Sequence, residues 1–169
     1  MMQIFSNSVL QFGRMAELDT LDWKILAILQ RDAGLPVHAI AEQVGLSTNP
    51  CWRRIRRMEE SGIITRRVAL VDPQAIGLAT TVFVAIRTNR HDAEWLEAFH
   101  KGIAGIEEIT ECHRMAGDID YMLKLRVKGI GDYDRIYQRL IARVPGLADV
   151  TASFSMEEIK FTTALPRPD

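Results

Sequence analysis

The chain has 169 residues, of which 47% are hydrophobic and 25% charged, with a net charge of −1 and two cysteines. That length holds one large domain or two small ones with real cores, and the composition is that of an ordinary soluble globular protein. No apolar run approaches the ~20 residues of a membrane span, and the opening MMQIFSNSVLQFGR lacks the basic, apolar and small-residue order of a secretory signal. Residues 1–16 read as an N-terminal extension, and Met15 offers a second translation start besides Met1. Cys51 and Cys112 lie far apart without metal-like spacing, as expected of reduced thiols in a cytoplasmic protein.

From Asp19 the pattern turns helical. Asp19 is a natural N-cap for a helix carrying Leu21, Ile25, Ile28 and Leu29, with Asp22 favourable in its first turn. Pro36 opens a second, short helix with Ile40, Ala41 and Val44 inward, and Gly45-Leu46-Ser47 makes a tight connection to a third. The third reads STNPCWRRIRRMEESG: Ser47 as N-cap, Pro50 in the first turn, Gly62 as the left-handed stop, and Cys51, Ile55 and Met58 as a narrow apolar stripe. Two short helices joined by a Gly-led turn, the second basic, predict a helix-turn-helix.

Charge distribution supports a nucleic-acid partner that the net charge conceals. Residues 1–67 carry nine Lys/Arg against seven Asp/Glu, and six of those nine lie between Arg53 and Arg67; residues 68–169 carry twelve against fifteen. On double-stranded DNA, Thr48, Asn49, Arg53 and Arg56 are placed to reach base edges, with Ser47 at the helix start. Arg54, Arg57, Arg66 and Arg67 are placed for phosphates.

Beyond Gly62 the periodicity changes. Residues 64–79 read as a strand linker, with β-branched Ile64 to Asp72 stopping at Pro73 and a turn at Gly77. Strands are predicted at Thr80–Thr88, Ile106–Met115, Asp120–Val127 and Val150 to about Ile159, the middle two joined by a hairpin at Gly117-Asp118. Helices are predicted from Asp92 to about Ile103, with Trp95, Leu96, Phe99 and Ile103 on one side, and around Tyr133, Ile136, Tyr137, Leu140, Ile141 and Val144. The expected architecture is α+β: a winged-helix-like helix-turn-helix domain (17–63), the linker, and a ferredoxin-like βαββαβ domain (80–169). Its first strand is apolar on both faces, Val82, Val84 and Ile86 alternating with Phe83 and Ala85. The face left bare by the two helices therefore calls for a second copy, a homodimer through residues 80–169.

This combination resembles the Lrp/AsnC (feast/famine) family of transcription regulators. The resemblance runs from about Leu18 to Pro166 and is carried by LDTLDWKILAILQRDA, AIAEQVGLSTNPCWRRIRRMEESGII, VALVDPQAIGL, MAGDIDYMLKL and VPGLADVTASFSMEEIKFTTALP. CWRRIRRMEE, HRMAGDIDY and DVTASFSMEEIKFTTALP are most similar to the branch of cysteine-responsive activators of detoxification genes. The resemblance implies dimers assembling to octamers and a small amino-acid effector, cysteine first, with leucine and methionine as rivals, bound between dimers. On this sequence the implied effector residues are Met115, Ala116, Gly117, Asp118, Asp120 and Tyr121, with Thr151 and Ser153 nearby. Asp118 would accept the ligand ammonium, while turn N–H groups and the Ser153 or Thr151 hydroxyl would take its carboxylate. One departure stands at Gly129, where many relatives have an Asp cap.

Other chemistry is weaker. His38, His91, His100 and His113 are scattered, and neighbours Cys112 and His113 point to opposite faces of a strand, so no metal or cofactor is expected. No phosphate loop, nucleophile elbow or paired carboxylates support an enzyme fused to a helix-turn-helix. An architectural, nucleoid-type DNA-bending protein is the other rival, marked by strong salt dependence without discrimination between operator and random DNA.

Overall fold

A computed structural model describes residues 17–168; the N-terminal extension and both candidate start methionines lie outside the described residues. The described chain forms two compact units, residues 17–70 together with 159–168, and Val71–Glu158. No helix among the described residues is long and apolar enough to cross a membrane.

The first unit holds α1 (Thr20–Leu29), α2 (Val37–Val44) and α3 (Thr48–Glu60). Asp19 begins α1 with a reciprocal cap: its carboxylate accepts from the N–H groups of Leu21 and Asp22, and the Asp22 carboxylate accepts from the Asp19 N–H. The Asp32 carboxylate accepts from Gly34 N–H at 2.8 Å and turns the chain toward α2. Gly45, at φ 72°, ends α2 in the left-handed conformation that glycine adopts without strain, and three residues later α3 begins. Ile25, Leu26 and Leu29 meet Ile40, Ala41, Val44, Cys51, Ile55 and Met58 in one buried cluster.

Residues 64–72 make no strand ladder among the described residues. The β-branched pattern read there as a linker strand leaves Val68, Leu70 and Val71 exposed, because an extended segment becomes a strand only when a partner meets its N–H and C=O groups. Residues 159–168 group with the helices, whereas the sequence placed them in the second domain. The Gln30 carboxamide oxygen accepts from Leu165 N–H at 2.7 Å and its NH2 donates to Leu165 C=O at 3.5 Å, holding the tail as a neighbouring strand would.

The second unit runs β1 (Thr80–Thr88), α4 (Ala93–Ala104), β2 (Ile109–Arg114), β3 (Tyr121–Val127), α5 (Ile130–Arg143) and β4 (Leu147–Phe154). Its antiparallel sheet has the order β2-β3-β1-β4, the arrangement that βαββαβ predicts. Two boundaries differ from the sequence pattern. Ile106 packs into the core ahead of a turn, so β2 begins at Ile109. Gly146, at φ 78°, releases α5 directly into β4, which ends at Phe154 where the β1 register runs out at Val82.

Both helices cover one sheet face. Val82, Val84, Ile86, Tyr121, Leu123, Leu125 and Val127 pack against Trp95, Phe99, Ile103, Ile136, Leu140 and Val144. Phe99 stacks between Trp95 (5.1 Å) and Tyr121 (4.3 Å), and Trp95 Nε1 donates to Pro145 C=O at 2.7 Å. Gly102 permits the approach of α4 to the end of α5, since a Cβ there would lie 2.7 Å from Val144 Cγ2. Ile141, read as part of the buried stripe of α5, is exposed. The opposite sheet face is apolar along β1, where Phe83 is 40% exposed. Its flanks are polar: Lys124 pairs with Glu111 and Arg126 with Glu158, each at 2.7 Å.

Candidate nucleic-acid interface and effector turn

Helix α3 divides by exposure as its sequence pattern requires. Cys51, Ile55 and Met58 are buried, while Thr48, Asn49, Trp52, Arg53, Arg56 and Arg57 are exposed. Ser47 occupies the N-cap with extended backbone, yet its hydroxyl makes no capping bond. No side chain caps this end, so the hydroxyl and the first-turn N–H groups lie on the same surface as Thr48 and Asn49. Trp52 remains half exposed on that surface.

The six arginines behave differently from one another. Arg53 and Arg66 make no ion pair among the described residues. Arg56 leans on Glu60 (3.3 Å) and Glu59 (3.9 Å), and Arg67 reaches Glu59 at 2.9 Å. These are exposed pairs of small energetic weight that phosphate could displace. Arg54 has a different first task from the phosphate contact read for it: its Nη1 donates to Asp19 at 2.6 Å and to Asp22 at 2.8 Å, tying α3 to the start of α1. Arg57 donates through Nη2 to the other oxygen of Asp22 at 2.5 Å, while over half of its side chain stays in solvent. The backbone N–H of Asp22 and the Arg54 guanidinium hold the Asp19 carboxyl below the usual carboxylate range, and the two carboxylates hold Arg54 charged.

Asp22 is the residue sequence reading undervalued. Its side chain is completely buried, and it accepts from the Asp19 N–H, Arg54 and Arg57. A signal existed in the matched spacing, carboxylates at 19 and 22 opposite guanidiniums at 54 and 57.

In the second unit, the β2–β3 hairpin closes through Met115 N–H donating to Asp120 C=O at 2.8 Å, with Gly117 at φ 136° between them. Met115, Ala116, Gly117 and Asp118 are exposed, and the Asp118 carboxylate makes no hydrogen bond or ion pair among the described residues. Asp120 instead pins the turn to the end of β1, its carboxylate accepting from Thr88 N–H at 2.8 Å and its own N–H donating to Ile86 C=O at 2.9 Å. Tyr121 is buried against Phe99 on the helix-covered face.

Thr151 and Ser153 lie opposite Ala85 and Phe83 on the other face, with β1 between β4 and β3. Ser153 is exposed, and the Thr151 hydroxyl donates to Asp149 at 3.1 Å. Within one chain the eight implied effector residues therefore do not converge: the four of the turn tip stand in solvent, Asp120 and Tyr121 serve the fold, and the β4 pair sits apart. Burial alone pushes the Cys112 thiol up to about 11, and burial also raises Cys51, so both thiols are neutral near pH 7. Among the described residues no cluster of three or more His, Cys, Asp or Glu is placed to hold a metal.

Comparison with known proteins agrees with both halves. Residues 18–65 match the winged helix-turn-helix DNA-binding family, and residues 81–165 match the Lrp/AsnC ligand binding domain. The chain is 51% identical to the glutamate uptake regulatory protein of Zymomonas mobilis over 153 residues, 90% of this chain and 93% of that one. It is 48% identical to the DNA-binding transcriptional activator DecR of Escherichia coli over 149 residues, 88% of this chain and 98% of that one.

Among solved structures, an AsnC family transcriptional regulator from Agrobacterium tumefaciens superposes with a TM-score of 0.85 at 51% identity, covering 88% and 97% of the two chains. A transcriptional regulator from Neisseria meningitidis in complex with L-Met superposes with a TM-score of 0.84 at 30% identity, covering 89% and 97%. These relatives are regulators of transcription, not enzymes. With both characteristic domains present in order and relatives 48–51% identical across nearly all of its length, the chain belongs to the Lrp/AsnC family of DNA-binding transcriptional regulators.

Proposed function

We propose that the chain is a sequence-specific regulator that reads double-stranded DNA with the exposed front of α3 and senses a small amino acid at the Gly117-Asp118 turn. The observation that carries the reading is the division of α3: three apolar residues inside, and Thr48, Asn49, Arg53 and Arg56 outside on one accessible surface. Ser47, Arg57, Arg66 and Arg67 would meet phosphates around that surface, with Arg54 anchored behind it. A dimer through the Phe83 face presents two such helices, and assembly to an octamer raises avidity and bends the DNA.

The effector reading rests on Asp118, an exposed carboxylate with no internal partner, beside exposed backbone of a glycine turn. Residues that do not converge within one chain would converge when turns from neighbouring dimers meet. Cysteine remains the favoured ligand from the motif resemblance, with methionine supported by the L-Met complex of the Neisseria meningitidis protein and leucine as a further rival. Bias between assemblies worth ~1–3 kcal/mol is enough for regulation.

A thermal-shift screen of the full chain against the twenty amino acids tests the sensor, because a ligand that binds the native state raises Tm. The expected result is one small amino acid raising Tm in wild type and failing to do so in Asp118→Ala. Equal shifts in both proteins contradict the site, and no shift with any amino acid at millimolar concentration contradicts the sensor. Sedimentation of a stable monomer at micromolar concentration contradicts the dimer. Equal affinity for operator and random duplexes would favour the architectural alternative.

A further inference from the structure

We propose that Asp22, which faces no DNA, is a positioning residue for DNA recognition: it fixes the direction in which Arg57 presents its guanidinium to a phosphate. The inference rests on the reading that α3 lies on DNA.

The geometry is specific. Asp22 is completely buried, whereas Arg57 has 57% of its side chain exposed, so the pair runs from the interior of the domain to its surface. One Asp22 oxygen takes Arg54 at 2.8 Å; the other takes Arg57 Nη2 at 2.5 Å and the Asp19 N–H at 3.1 Å. A carboxylate held on three sides cannot swing, and Asp19 steadies Arg54 from behind at 2.6 Å. Arg57 meets Asp22 through Nη2, leaving Nη1 and Nε without a partner among the described residues.

A guanidinium is planar, so anchoring one nitrogen sets the direction of the remaining donors. Left free, a surface arginine loses rotamer entropy when it binds phosphate. This one is ordered beforehand. Arg53 has no such anchor among the described residues. The two arginines thus differ in kind: one adaptable at its base edge, the other a rigid peg that sets how α3 seats on the backbone.

A purely structural Asp22 would act on stability alone, and a double-mutant cycle separates the two roles. The full chain is titrated with a labelled duplex enriched by the wild-type chain from a random-sequence pool, using Asp22→Asn, Arg57→Ala, the double variant, Arg57→Lys and Arg53→Ala. Asp22→Asn keeps the size of the side chain and removes the charge. Expected are a loss of about tenfold for Arg57→Ala, a comparable loss for Asp22→Asn, and a double variant within about twofold of Arg57→Ala alone. Arg57→Lys should lose most of the same affinity despite keeping its charge, because a single ammonium lacks the fork that joins carboxylate to phosphate.

Independent, multiplicative losses in the double variant overturn the proposal, as does Asp22→Asn binding with wild-type affinity. If Asp22→Asn does not fold, Arg57→Lys decides alone, and wild-type affinity there overturns the proposal. Arg53→Ala separates this inference from the reading beneath it. A loss at Arg53 with none at Arg57 rejects the positioning role and leaves α3 on DNA; no loss at either position rejects the placement of α3 itself, and the positioning role with it.

Discussion

The two units of this chain are stabilised by different physics. In the helical unit nine buried residues form the core among the described residues, and α3 is joined to the start of α1 by a carboxylate and two guanidiniums. In the βαββαβ unit fourteen buried residues form a larger core centred on an aromatic stack, and its ion pairs lie at the periphery. Small domains bury a smaller share of their surface, so a recognition module of this size has less apolar burial to draw on. Arg54 and Arg57 turn to one side of the apolar stripe of α3, where they meet the buried Asp22 of α1. In the larger unit no charged residue is fully buried among the described residues, and the Asp118 carboxylate is exposed without a partner there, as the proposed effector role requires.

Each unit carries one cysteine, buried Cys51 in the first and half-buried Cys112 in the second, so thiol labelling reports on the two separately. Both thiols are raised by burial, so local opening should accelerate their labelling near neutral pH. The largest effects should come from a matched pair. Asp22→Ala leaves two guanidiniums facing an emptied site and should destabilise the helical unit by ~3–5 kcal/mol. Cys51 labelling should accelerate with Cys112 unchanged. Phe99→Ala removes the centre of the aromatic stack at a comparable ~3–5 kcal/mol and should do the reverse. Parallel acceleration of both cysteines in either variant would mean the units unfold as one, and the contrast would fail.

Packing at Gly102 gives an intermediate effect. A methyl placed 2.7 Å from Val144 Cγ2 must push α4 from the end of α5, so Gly102→Ala should destabilise the second unit by ~1–3 kcal/mol, read as a lower denaturant midpoint for Cys112 protection. The tail contact is weaker. Gln30→Ala removes both bonds to Leu165 and should cost about 1 kcal/mol locally, seen as faster proteolysis after Lys160 without a change in global Tm. Unchanged cleavage would show that the tail is held by its apolar contacts alone. Gly129 begins α5 with φ 175° and no capping side chain, so Gly129→Asp should stabilise the second unit by only a few tenths of a kcal/mol.

Much of this contrast was legible in the sequence. The three helices, the Asp19 cap, the Gly45 turn and the order of strands follow from local patterns that the structure keeps, whereas Ser47 holds the N-cap position of α3 without the capping bond expected of it. What escaped depends on partners distant in sequence. Ile64 to Asp72 has strand composition but no ladder, because β-propensity expresses fit to a neighbour and the described residues supply none. Residues 155–159 carry on beyond the last β4–β1 pair, Phe154 with Val82, and are not strand. Tyr121 was placed with the effector turn by the family resemblance, and alternation turns it toward Phe99 on the covered face. Arg54 and Arg57 were both read as phosphate contacts; both bond the buried Asp22, but Arg54 also bonds Asp19 and is largely covered, whereas Arg57 stays over half exposed.

The most direct measurement compares wild type with Arg53→Ala on two duplexes of equal length, one enriched from a random pool and one scrambled, at fixed salt. Arg53 is exposed on the front of α3 with no ion pair among the described residues, so its loss perturbs recognition and not the fold. The account predicts ~1–3 kcal/mol weaker binding to the enriched duplex, little change on the scrambled one, and hence reduced discrimination. Unchanged binding to the enriched duplex, or an equal loss on both, would contradict a base-reading role for this face of α3.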